Sequence, residues 1–340
     1  MKKKIDVAVI GGGISGMEAA SALSRLGASA ALIEEKDKLG GHVAQWYRLF
    51  PDGHRSDELL KPVYDALEGI DTYLNTTVVK VEREQNRYQL TLSTGTTLDA
   101  GAVLLATGFS LFSAQRKEEY GYGIYDKVLT SLQLEEFFIS GKGLGAKSEE
   151  PLRIGFVHCV GSRDEKVNNR HCSKVCCATA VKQACELKEL HPNARIYCFY
   201  MDLRMFGRYF EDMYFQAQNK YGIQFIRGRV SEVSENIEGK LIVKAEDTLA
   251  GQPLRATLDH LVLMSGMERH KRAPETASLF NIYFADDEFY QNGDAYNCNL
   301  LSKQPGVFFA GACTGPKTYA ECMNEARSAA VTIHKYLQQI

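Results

Sequence analysis

The stretch IDVAVIGGGISGMEAASALSRLGASAALIE, residues 5–34, is the part of the sequence that most constrains the fold. A short apolar run leads into Gly11, Gly13 and Gly16, which have the G-x-G-x-x-G spacing. A helix-like segment and a second apolar run follow, and the second run ends at Glu34. This order of strand, glycine loop, helix and strand is typical of α/β units that bind dinucleotides. The sequence therefore predicts an α/β fold with a phosphate-binding loop near its N-terminus.

Each glycine of this loop has a physical role in such a unit. Gly11 permits the tight turn, Gly13 lets a pyrophosphate approach the backbone, and Gly16 lets the helix pack on the strand. The helix N-terminus directs N–H groups at the phosphates, and Glu34 is placed to bind ribose hydroxyls. A loop that merely turns the chain is the alternative, which the matching strand, helix and acid disfavour. The predicted contacts here are Gly11, Gly12, Gly13, Ile14, Ser15, Gly16, Glu34, Glu35 and Lys36.

Three further motifs resemble flavoproteins of the glutathione reductase and thioredoxin reductase class. They are EKDKLGGHV (residues 35–43), AVLLATGF (102–109) and the closing motif PGVFFAGACTGPKT (305–318). The resemblance implies FAD rather than NAD at this site. Ala312 stands where the class usually has an Asp, so flavin binding there must rely on backbone N–H groups or other residues. The further FAD contacts that the resemblance implies are Gly40, Gly41, His42, Val79, Ala106, Thr107, Gly108, Gly311, Ala312, Pro316, Lys317 and Thr318.

The same resemblance implies the fold class, an α/β flavoprotein with two dinucleotide-binding domains in which a second Rossmann-like domain is inserted in the first. We expect residues 1–150 and 266–340 to form the FAD-binding domain. Residues 151–265 read as a second α/β domain of strand, helix and strand, after a linker near residues 149–153. In this class the second domain normally binds NAD(P)H through its own glycine loop.

A cluster of cysteines occupies the place of that second glycine loop. In FVHCVGSRDEKVNNRHCSKVCCATAVKQA (residues 156–184), the strand-like and helix-like parts are joined without a G-x-G-x-x-G motif. The spacing C-x12-C-x3-C-C is awkward for a zinc knuckle, which usually has paired C-x2-C motifs. A disulfide switch and buried structural thiols remain alternatives. An iron–sulfur cubane needs four thiolates, which a long loop and a helix start can supply.

The cysteine segment resembles the A-subunit family of heterodisulfide reductases. Members have a similar strand, C-V-G-S-R-D, a variable loop, C-S-(x)2-C-C and a helix with K-Q-A, and the resemblance covers nearly the whole chain. It implies a [4Fe–4S] cluster beside FAD, with Cys159, Cys172, Cys176 and Cys177 as ligands. No cysteine-rich insertion follows Gly41, so the resemblance is to the minimal, single-cluster members found in bacterial sulfur-oxidising complexes.

The family resemblance implies a function in electron transfer. We expect an FAD- and [4Fe–4S]-containing oxidoreductase subunit of a heterodisulfide-reductase-like complex, which converts between two-electron and one-electron transfer, with sulfur-compound oxidation as its setting. The expected partners are the other subunits of such a complex, around a homodimeric core. A stand-alone NAD(P)H-dependent flavin oxidoreductase is the alternative, which the missing second glycine loop disfavours.

Two lysines are candidates for a cation beside the flavin, where a positive charge stabilises the reduced anion. Lys182 lies five residues after Cys177 on the predicted helix, and Lys317 lies in the closing motif. An ordinary surface lysine is the alternative for Lys182. His158 and His171, which adjoin cysteines, are expected to be neighbours of the cluster or exposed residues rather than ligands.

Bulk properties exclude several other classes of function. The formal net charge is −2, so nothing favours a nucleic-acid or membrane-surface partner. No run reaches the ~18 apolar residues of a membrane span, and MKKKIDVAVI lacks the apolar region of a signal peptide. We therefore expect a cytoplasmic protein. The cysteines outside the cluster lack compact ligand spacing and are expected to be mostly packing residues: Cys185, Cys198, Cys298, Cys313 and Cys322.

Overall fold

A computed structural model of the chain describes residues 2–141, 143–145, 150–294, 296 and 298–340. The described residues form seventeen β-strands and seven α-helices. The strands are β1 (Lys2–Ile10), β2 (Ala30–Ile33), β3 (Asp71–Tyr73), β4 (Val78–Glu84), β5 (Arg87–Leu92), β6 (Thr97–Leu105), β7 (Phe109–Leu111), β8 (Val128–Thr130), β9 (Arg153–Val160), β10 (Arg195–Tyr200), β11 (Gln224–Arg227), β12 (Val230–Glu235), β13 (Leu241–Asp247), β14 (Gln252–Leu258), β15 (His260–Ser265), β16 (Met267–Arg269) and β17 (Val307–Phe309). The α-helices are α1 (Ile14–Arg25), α2 (Ser56–Asp65), α3 (Ser131–Ser140), α4 (Cys176–Leu190), α5 (Phe210–Asn219), α6 (Ala273–Phe280) and α7 (Tyr319–Leu337).

The chain forms two compact units. The first consists of Met1–Ala44, Asp57–Ser110 and Glu268–Ile340, and the second of Gln45–Ser56 and Leu111–Met267. Most of the second unit is therefore a single insertion between two parts of the first.

A seven-stranded sheet forms the centre of the first unit. Its strand order is β3-β2-β1-β6-β5-β4, and β17 also pairs with β6. The strands β1, β2, β3, β6 and β17 run parallel, whereas β5 pairs antiparallel with both β4 and β6. Helices α1 and α7 pack together. The turn between β1 and α1 thus follows the carboxyl end of a parallel strand, which is where α/β sheets bind ligands.

The second unit is built on a five-stranded parallel sheet in the order β11-β10-β9-β15-β8, with a separate antiparallel sheet of β12, β13 and β14. Helix α4 follows β9 and buries Ala180, Val181 and Leu187 in the same core as Phe156 of β9. This core fixes the chain on both sides of the cysteine loop.

The unit boundaries differ from the predicted ones, because residues 45–56, 111–150 and 266–267 fall in the second unit. Strand β8 pairs with β15, and α3 contributes Leu134 and Phe138 to the core around Phe156, so this part of the chain packs in the second unit. Tyr47 also packs against that core. The pairing joins residues that lie far apart in sequence, which local composition does not reveal. The predicted linker begins at Glu149, and residues 146–149 lie outside the described part of the chain.

Candidate flavin and cysteine sites

Among the three motif glycines of the loop after β1, the packing requires Gly11 and Gly16, whereas Gly13 faces open space. A Cβ on Gly16 would lie 1.8 Å from the carbonyl oxygen of Gly11, and Gly11 itself has a φ of +111°. A Cβ on Gly13 would meet only Cα of Gly41, at 4.0 Å. The room above Gly13 is what the close approach of a pyrophosphate to the backbone needs.

The second glycine motif lies against this loop. Gly13 and Gly40 form a parallel bridge, and the N–H of Gly40 donates to the carbonyl oxygen of Gly12 at 2.8 Å. Gly40 has a φ of +101°, and its Cβ would lie 2.4 Å from the hydroxyl of Tyr64. The two motifs that the sequence singled out, 34 to 41 and 11 to 16, are therefore neighbours in space.

Glu34 holds the loop through both of its carboxylate oxygens. Oε2 accepts the N–H of Gly12 at 2.6 Å, and Oε1 accepts the N–H of Lys36 at 2.8 Å. The side chain is buried, which makes these bonds costly to lose. Each oxygen keeps a second lone pair, so Glu34 can still accept a ribose hydroxyl.

Glu35 lies beside an arginine and a histidine that the sequence did not point to. Its carboxylate lies 3.4 Å from Nε2 of His270 and 3.6 Å from a guanidinium nitrogen of Arg272. His42 stacks on the ring of Phe109, with 4.2 Å between centroids, and burial lowers its pKa. His270 and Arg272 come from the return of the chain after the second unit, and no local motif marks them.

The A-T-G segment lies beside the glycine loop. The N–H of Ala106 donates to the carbonyl oxygen of Ile10 at 2.8 Å, and a Cβ on Gly11 would lie 2.3 Å from the carbonyl oxygen of Ala106. Gly108 has a φ of +68° and open space around it. Val79 lies at an irregularity in the pairing of β4 and is 52% exposed, so its proposed contact with FAD stays a prediction.

The closing motif is tied together by Lys317. Its amine donates to the carbonyl oxygen of Gly311 at 3.0 Å and to Oγ1 of Thr314 at 2.6 Å, and it lies 3.4 Å from the carboxylate of Glu325. A Cβ on Gly311 would lie 2.2 Å from Oγ of Ser15, so this motif is packed against the start of α1. The structure thus assembles the motifs of the first unit around one loop.

Thr318 begins the last helix. Its hydroxyl accepts the N–H of Glu321 at 3.3 Å, and the carboxylate of Glu321 accepts the N–H of Thr318 at 2.8 Å. This capping box fixes the entry of the chain from Pro316 into α7. Ala312 is buried and carries no polar group, as the departure from the class pattern implied.

In the second unit the cysteine loop runs from the end of β9 to the start of α4. Four residues other than glycine have left-handed backbone conformations here: Cys159 at φ +59°, Arg163 at +53°, Asn168 at +62° and Lys174 at +61°. Such conformations cost free energy in residues that carry a side chain, and they persist where the surrounding structure imposes them. They give the loop a shape that differs from a simple crossover between strand and helix.

Three of the four thiols lie together in this loop. Cys159, Cys176 and Cys177 are buried, and Cys176 is hydrogen-bonded to both of the others. These bonds to Cys176 lower the pKa of Cys177 to about 4 and that of Cys159 to about 7, while the pKa of Cys176 is raised well above its usual value. A thiol that ionises readily is a prepared metal ligand, since only the thiolate binds.

The fourth thiol, Cys172, is half-buried and accepts the N–H of Lys174 at 3.3 Å. Arg163, whose guanidinium donates to Asp202 at 2.7 Å, has its pKa raised by that bond and also by Cys159 and Cys172. The Arg163 side chain therefore lies within electrostatic reach of thiols from both ends of the loop.

The side chains that this loop offers to a metal group are thiols, which are the ligands of iron–sulfur clusters. Among the described residues, no group of three or more His, Cys, Asp or Glu side chains is arranged to hold one metal ion. Each thiolate of a cubane binds a different iron corner, so its four ligands stand farther apart than those of a single tetrahedral ion. The loop supplies four thiols, of which Cys159, Cys176 and Cys177 are buried, and the pKa values of Cys159 and Cys177 are lowered.

Side chains of the cysteine loop hold the rest of the loop in place through contacts with the backbone of Met267. The hydroxyls of Ser162 and Ser173 are hydrogen-bonded to each other, and the Ser173 hydroxyl accepts the N–H of Met267 at 2.7 Å. His171 places Nε2 2.8 Å from the carbonyl oxygen of Met267, and His158 is buried beside Cys177.

Lys182 is buried within the second unit rather than exposed on its surface. Its amine lies 2.5 Å from Oε1 of Glu135, 3.4 Å from Oε2 of Glu186 and 2.8 Å from the carbonyl oxygen of Arg48. Gln183 also donates to Glu135, at 2.6 Å. Burial raises the pKa of Glu186 to about 7. Glu135 was not predictable from the sequence, because it reaches Lys182 only through the fold, whereas Glu186 lies four residues after Lys182 on the same helix.

The other cysteines mostly behave as packing residues. Cys198 and Cys313 are almost fully inaccessible, and Cys322 is buried as well. Burial raises the pKa of Cys185 to about 12 and that of Cys322 to about 11. Cys185 and Cys298 are half-buried.

Among the described residues, no helix is long and apolar enough to cross a membrane.

The N-terminal part of the chain matches a known protein family. Residues 1–122 match the family described as pyridine nucleotide-disulphide oxidoreductase. These residues contain the glycine loop, the second glycine motif and the A-T-G segment.

Two solved structures show the same fold as this chain. A thioredoxin reductase of Lactococcus lactis has a TM-score of 0.68 and 18% identity, with coverage of 99% of this chain and 100% of that one. A thioredoxin reductase of T. acidophilum has a TM-score of 0.65 and 17% identity, with coverage of 98% of both chains. These matches confirm the predicted fold class.

Three sequence relatives of this chain are A subunits of heterodisulfide reductases. The A subunit of the H(2)/formate:CoB-CoM heterodisulfide,ferredoxin reductase of Methanococcus maripaludis is 30% identical over 96% of this chain and 63% of its own length. An iron-sulfur A subunit of the CoB--CoM heterodisulfide reductase of Methanopyrus kandleri is 30% identical over 96% of this chain and 64% of its own length. A Methanosarcina mazei relative, the A subunit of a ferredoxin:CoB-CoM heterodisulfide reductase, is 37% identical over 64% of this chain and 28% of its own length.

This chain spans less than two thirds of the length of these relatives. The alignment to the M. maripaludis protein covers 414 positions, so at least 74 of them (414 minus the 340 residues here) have no counterpart in this chain. The chain is therefore similar over nearly its whole length to A subunits of heterodisulfide reductases, and it has the fold of the thioredoxin reductases.

Proposed function

We propose that this chain holds FAD in its first unit and one [4Fe–4S] cluster in its second unit. The cluster ligands would be Cys159, Cys172, Cys176 and Cys177. The room above Gly13, the buried Glu34 and the neighbouring glycine motifs support FAD. The grouped thiols support the cluster, and the M. kandleri relative is an iron-sulfur subunit by name.

The function that follows is electron transfer as a component of a heterodisulfide-reductase-like complex, with a homodimeric core, in the cytoplasm. The flavin would supply two-electron chemistry and the cluster one-electron chemistry, so the protein would convert between the two. Sulfur-compound oxidation is the metabolic setting that we propose, because the segment after Gly41 lacks a cysteine-rich insertion, as in the minimal, single-cluster members that the chain resembles.

The observation that carries this proposal is that the loop between β9 and α4 contains cysteines in place of a glycine-rich phosphate loop. In related two-domain flavoproteins a glycine loop at this place cradles the phosphates of a nicotinamide nucleotide. Here Gly161 is the one glycine of residues 160–176, and its Cβ would lie 2.0 Å from the ring of Phe112. Gly161 therefore serves close packing, and the thiols occupy the rest of the loop.

The protein contributes burial, orientation and charge to this chemistry. Four left-handed residues, Cys159 among them, fix the backbone of the loop that carries the thiols. The Arg163 guanidinium, within electrostatic reach of Cys159 and Cys172, offsets part of the negative charge that thiolates bring into a buried place. In the first unit, Lys317 holds the closing loop in shape through Gly311 and Thr314.

Lys182 and Lys317 remain our candidates for a cation that stabilises the reduced flavin. Both amines are paired with carboxylates, which weakens the field that each exerts. We expect one of the substitutions Lys182→Met and Lys317→Met to lower the flavin potential by about 30 mV or more, the equivalent of roughly 1.4 kcal/mol for two electrons. Spectroelectrochemical titration compares the two, and unchanged potentials in both variants exclude both lysines from this role.

The direct test of the proposal is the cofactor content of anaerobically purified protein. We expect about one FAD, about four iron and about four sulfide per chain. Cys172→Ala should lose the iron, whereas the control Cys185→Ala should keep it, because Cys185 lies outside the loop. One zinc without labile sulfide would contradict the cluster, and release of NAD without FAD would contradict the flavin.

A further inference from the structure

The segment after β10 lies against the cysteine loop and carries exposed aromatic and cationic side chains. The carbonyl oxygen of Asp202 lies 3.7 Å from Sγ of Cys177. A few residues on, Phe206 is 66% exposed and Tyr209 is 55% exposed. Large exposed apolar side chains that lie close together mark interaction sites more often than ordinary surface.

We propose that this surface docks an acidic partner protein that exchanges single electrons with the cysteine-bound cluster. We call it the docking loop and define it as Arg204, Phe206, Arg208 and Tyr209, together with Lys174 of the cysteine loop. The inference rests on the proposed function, because it takes the cluster as the electron donor or acceptor. Electrons pass between the cluster and the partner one at a time, with no atom transferred.

The charge of the docking loop argues for an acidic partner. Arg204 and Arg208 are exposed, and Nζ of Lys174 lies 5.6 Å from the centroid of the Phe206 ring. The acid of this segment, Asp202, is paired with Arg163 at 2.7 Å and with Arg227 at 3.6 Å. The exposed charge between residues 203 and 209 is therefore positive. Opposite charge on a partner speeds encounter and sets its orientation.

Acidic side chains next to the docking loop limit the orientation in which an acidic partner can bind. Glu211 and Asp212 form the first turn of α5 and are exposed, directly after Tyr209. Like charges facing each other across an interface are unfavourable. An acidic partner surface should therefore cover Arg204, Arg208 and Lys174 and avoid the start of α5.

Contacts with neighbouring side chains restrict the backbone of the docking loop. Tyr209 has a left-handed φ of +68°, and its ring lies 4.7 Å from Cζ of Arg208. A Cβ on Gly207 would lie 2.9 Å from the ring of Phe210, which packs edge-on against Phe50 at 5.3 Å. Side chains presented from a fixed backbone lose less entropy when a partner binds.

Proximity to the cysteines makes this surface suited to electron exchange. The rate of electron transfer falls steeply with distance, so a one-electron partner must approach the cluster closely. The segment that carries the docking loop contacts Cys177 through its own backbone. A protein that covers Phe206 and Tyr209 would therefore bind the same segment whose backbone reaches Cys177.

The test is binding of a small acidic ferredoxin, used as a probe, to FAD- and iron-loaded protein by isothermal titration calorimetry. We expect saturable binding that weakens as salt is added. The double variant Arg204→Glu/Arg208→Glu should bind at least roughly tenfold more weakly at low salt, and Phe206→Ser should also weaken binding. Arg255→Glu on β14 is the matched control, which reverses an exposed cation elsewhere in the unit and should bind like wild type.

Two results overturn the proposal. One is that the acidic probe binds wild type and the double variant equally well, or that it binds neither. The other is a change of oligomeric state in the double variant by sedimentation, which would assign the surface to a second copy of the chain. Failure of the proposed function is a separate result, namely iron-free protein, because binding of the probe is measured without electron transfer.

Discussion

Nζ of Lys182 lies 2.5 Å from Oε1 of Glu135, which comes from a helix 47 residues earlier in the chain, and both side chains are buried. A second buried carboxylate, that of Glu186, lies 3.4 Å from the same amine. One ammonium thus faces two carboxylates in the core of the second unit. This imbalance has measurable consequences for stability, for its pH dependence and for variants of Lys182.

Removal of Lys182 should be strongly destabilising. Lys182→Met leaves Glu135 buried without its cation, and breaking a buried ion pair from one side costs about 3–5 kcal/mol. Denaturant unfolding measures the loss. In the double variant Glu135→Gln/Lys182→Met no unpaired charge remains at residue 135, so we expect a smaller loss than in Lys182→Met alone. A double variant less stable than Lys182→Met would contradict this account of the pair.

Glu186 should make stability depend on pH. Burial raises its pKa from 4.5 to about 7, so between these values the folded state holds a proton that the unfolded state has released. Stability from this group is therefore present below pH 4.5 and falls as the pH rises toward 7, by about 3 kcal/mol in total. Glu186→Gln should remove that fall.

The measurement is the free energy of unfolding of wild type and of Glu186→Gln at a series of pH values. The difference between them should grow in favour of the variant up to pH 7 and then stay level. Glu189→Gln is the control, since Glu189 is exposed and pairs with Arg48 at the surface. Parallel curves for wild type and Glu186→Gln would show that Glu186 keeps an ordinary pKa.

Two glycines of the first unit should respond differently to substitution. Gly13→Val places a side chain in open space above the loop, so we expect a folded protein that has lost FAD. Gly16→Ala forces a Cβ to 1.8 Å from the carbonyl oxygen of Gly11, so we expect lost stability. Flavin content and thermal unfolding separate the two effects. Retention of FAD by Gly13→Val would mean that the pyrophosphate does not approach this residue.

The glycine loop, the cysteine cluster and the strand–helix–strand order of the second unit were predictable because their signals are local in sequence. Gly11, Gly13 and Gly16 lie within six residues, and the spacing itself encodes the turn. Two partners of Lys182 were not predictable, because Glu135 and the carbonyl of Arg48 come from 47 and 134 residues away. Glu186 lies four residues after Lys182 on α4, a spacing that is visible in the sequence. The placement of residues 111–141 depends on the pairing of β8 with β15, which also joins distant parts of the chain.

Reduction by NADPH should be slow. The loop between β9 and α4 offers thiols in place of a glycine cradle, and its Gly161 is packed against Phe112. A phosphate there would lack the row of backbone N–H groups that such a loop provides. Stopped-flow absorbance of the flavin after mixing with NADPH measures the rate. Fast, saturable reduction would favour a stand-alone flavin reductase instead.

The central claim, that one chain joins a two-electron and a one-electron carrier, is tested most directly by counting electrons. In an anaerobic reductive titration the wild-type protein should take up about three electrons per chain, two in the flavin and one in the cluster. Cys172→Ala should take up about two, with its flavin spectrum unchanged. An uptake of two electrons by both proteins would contradict the claim.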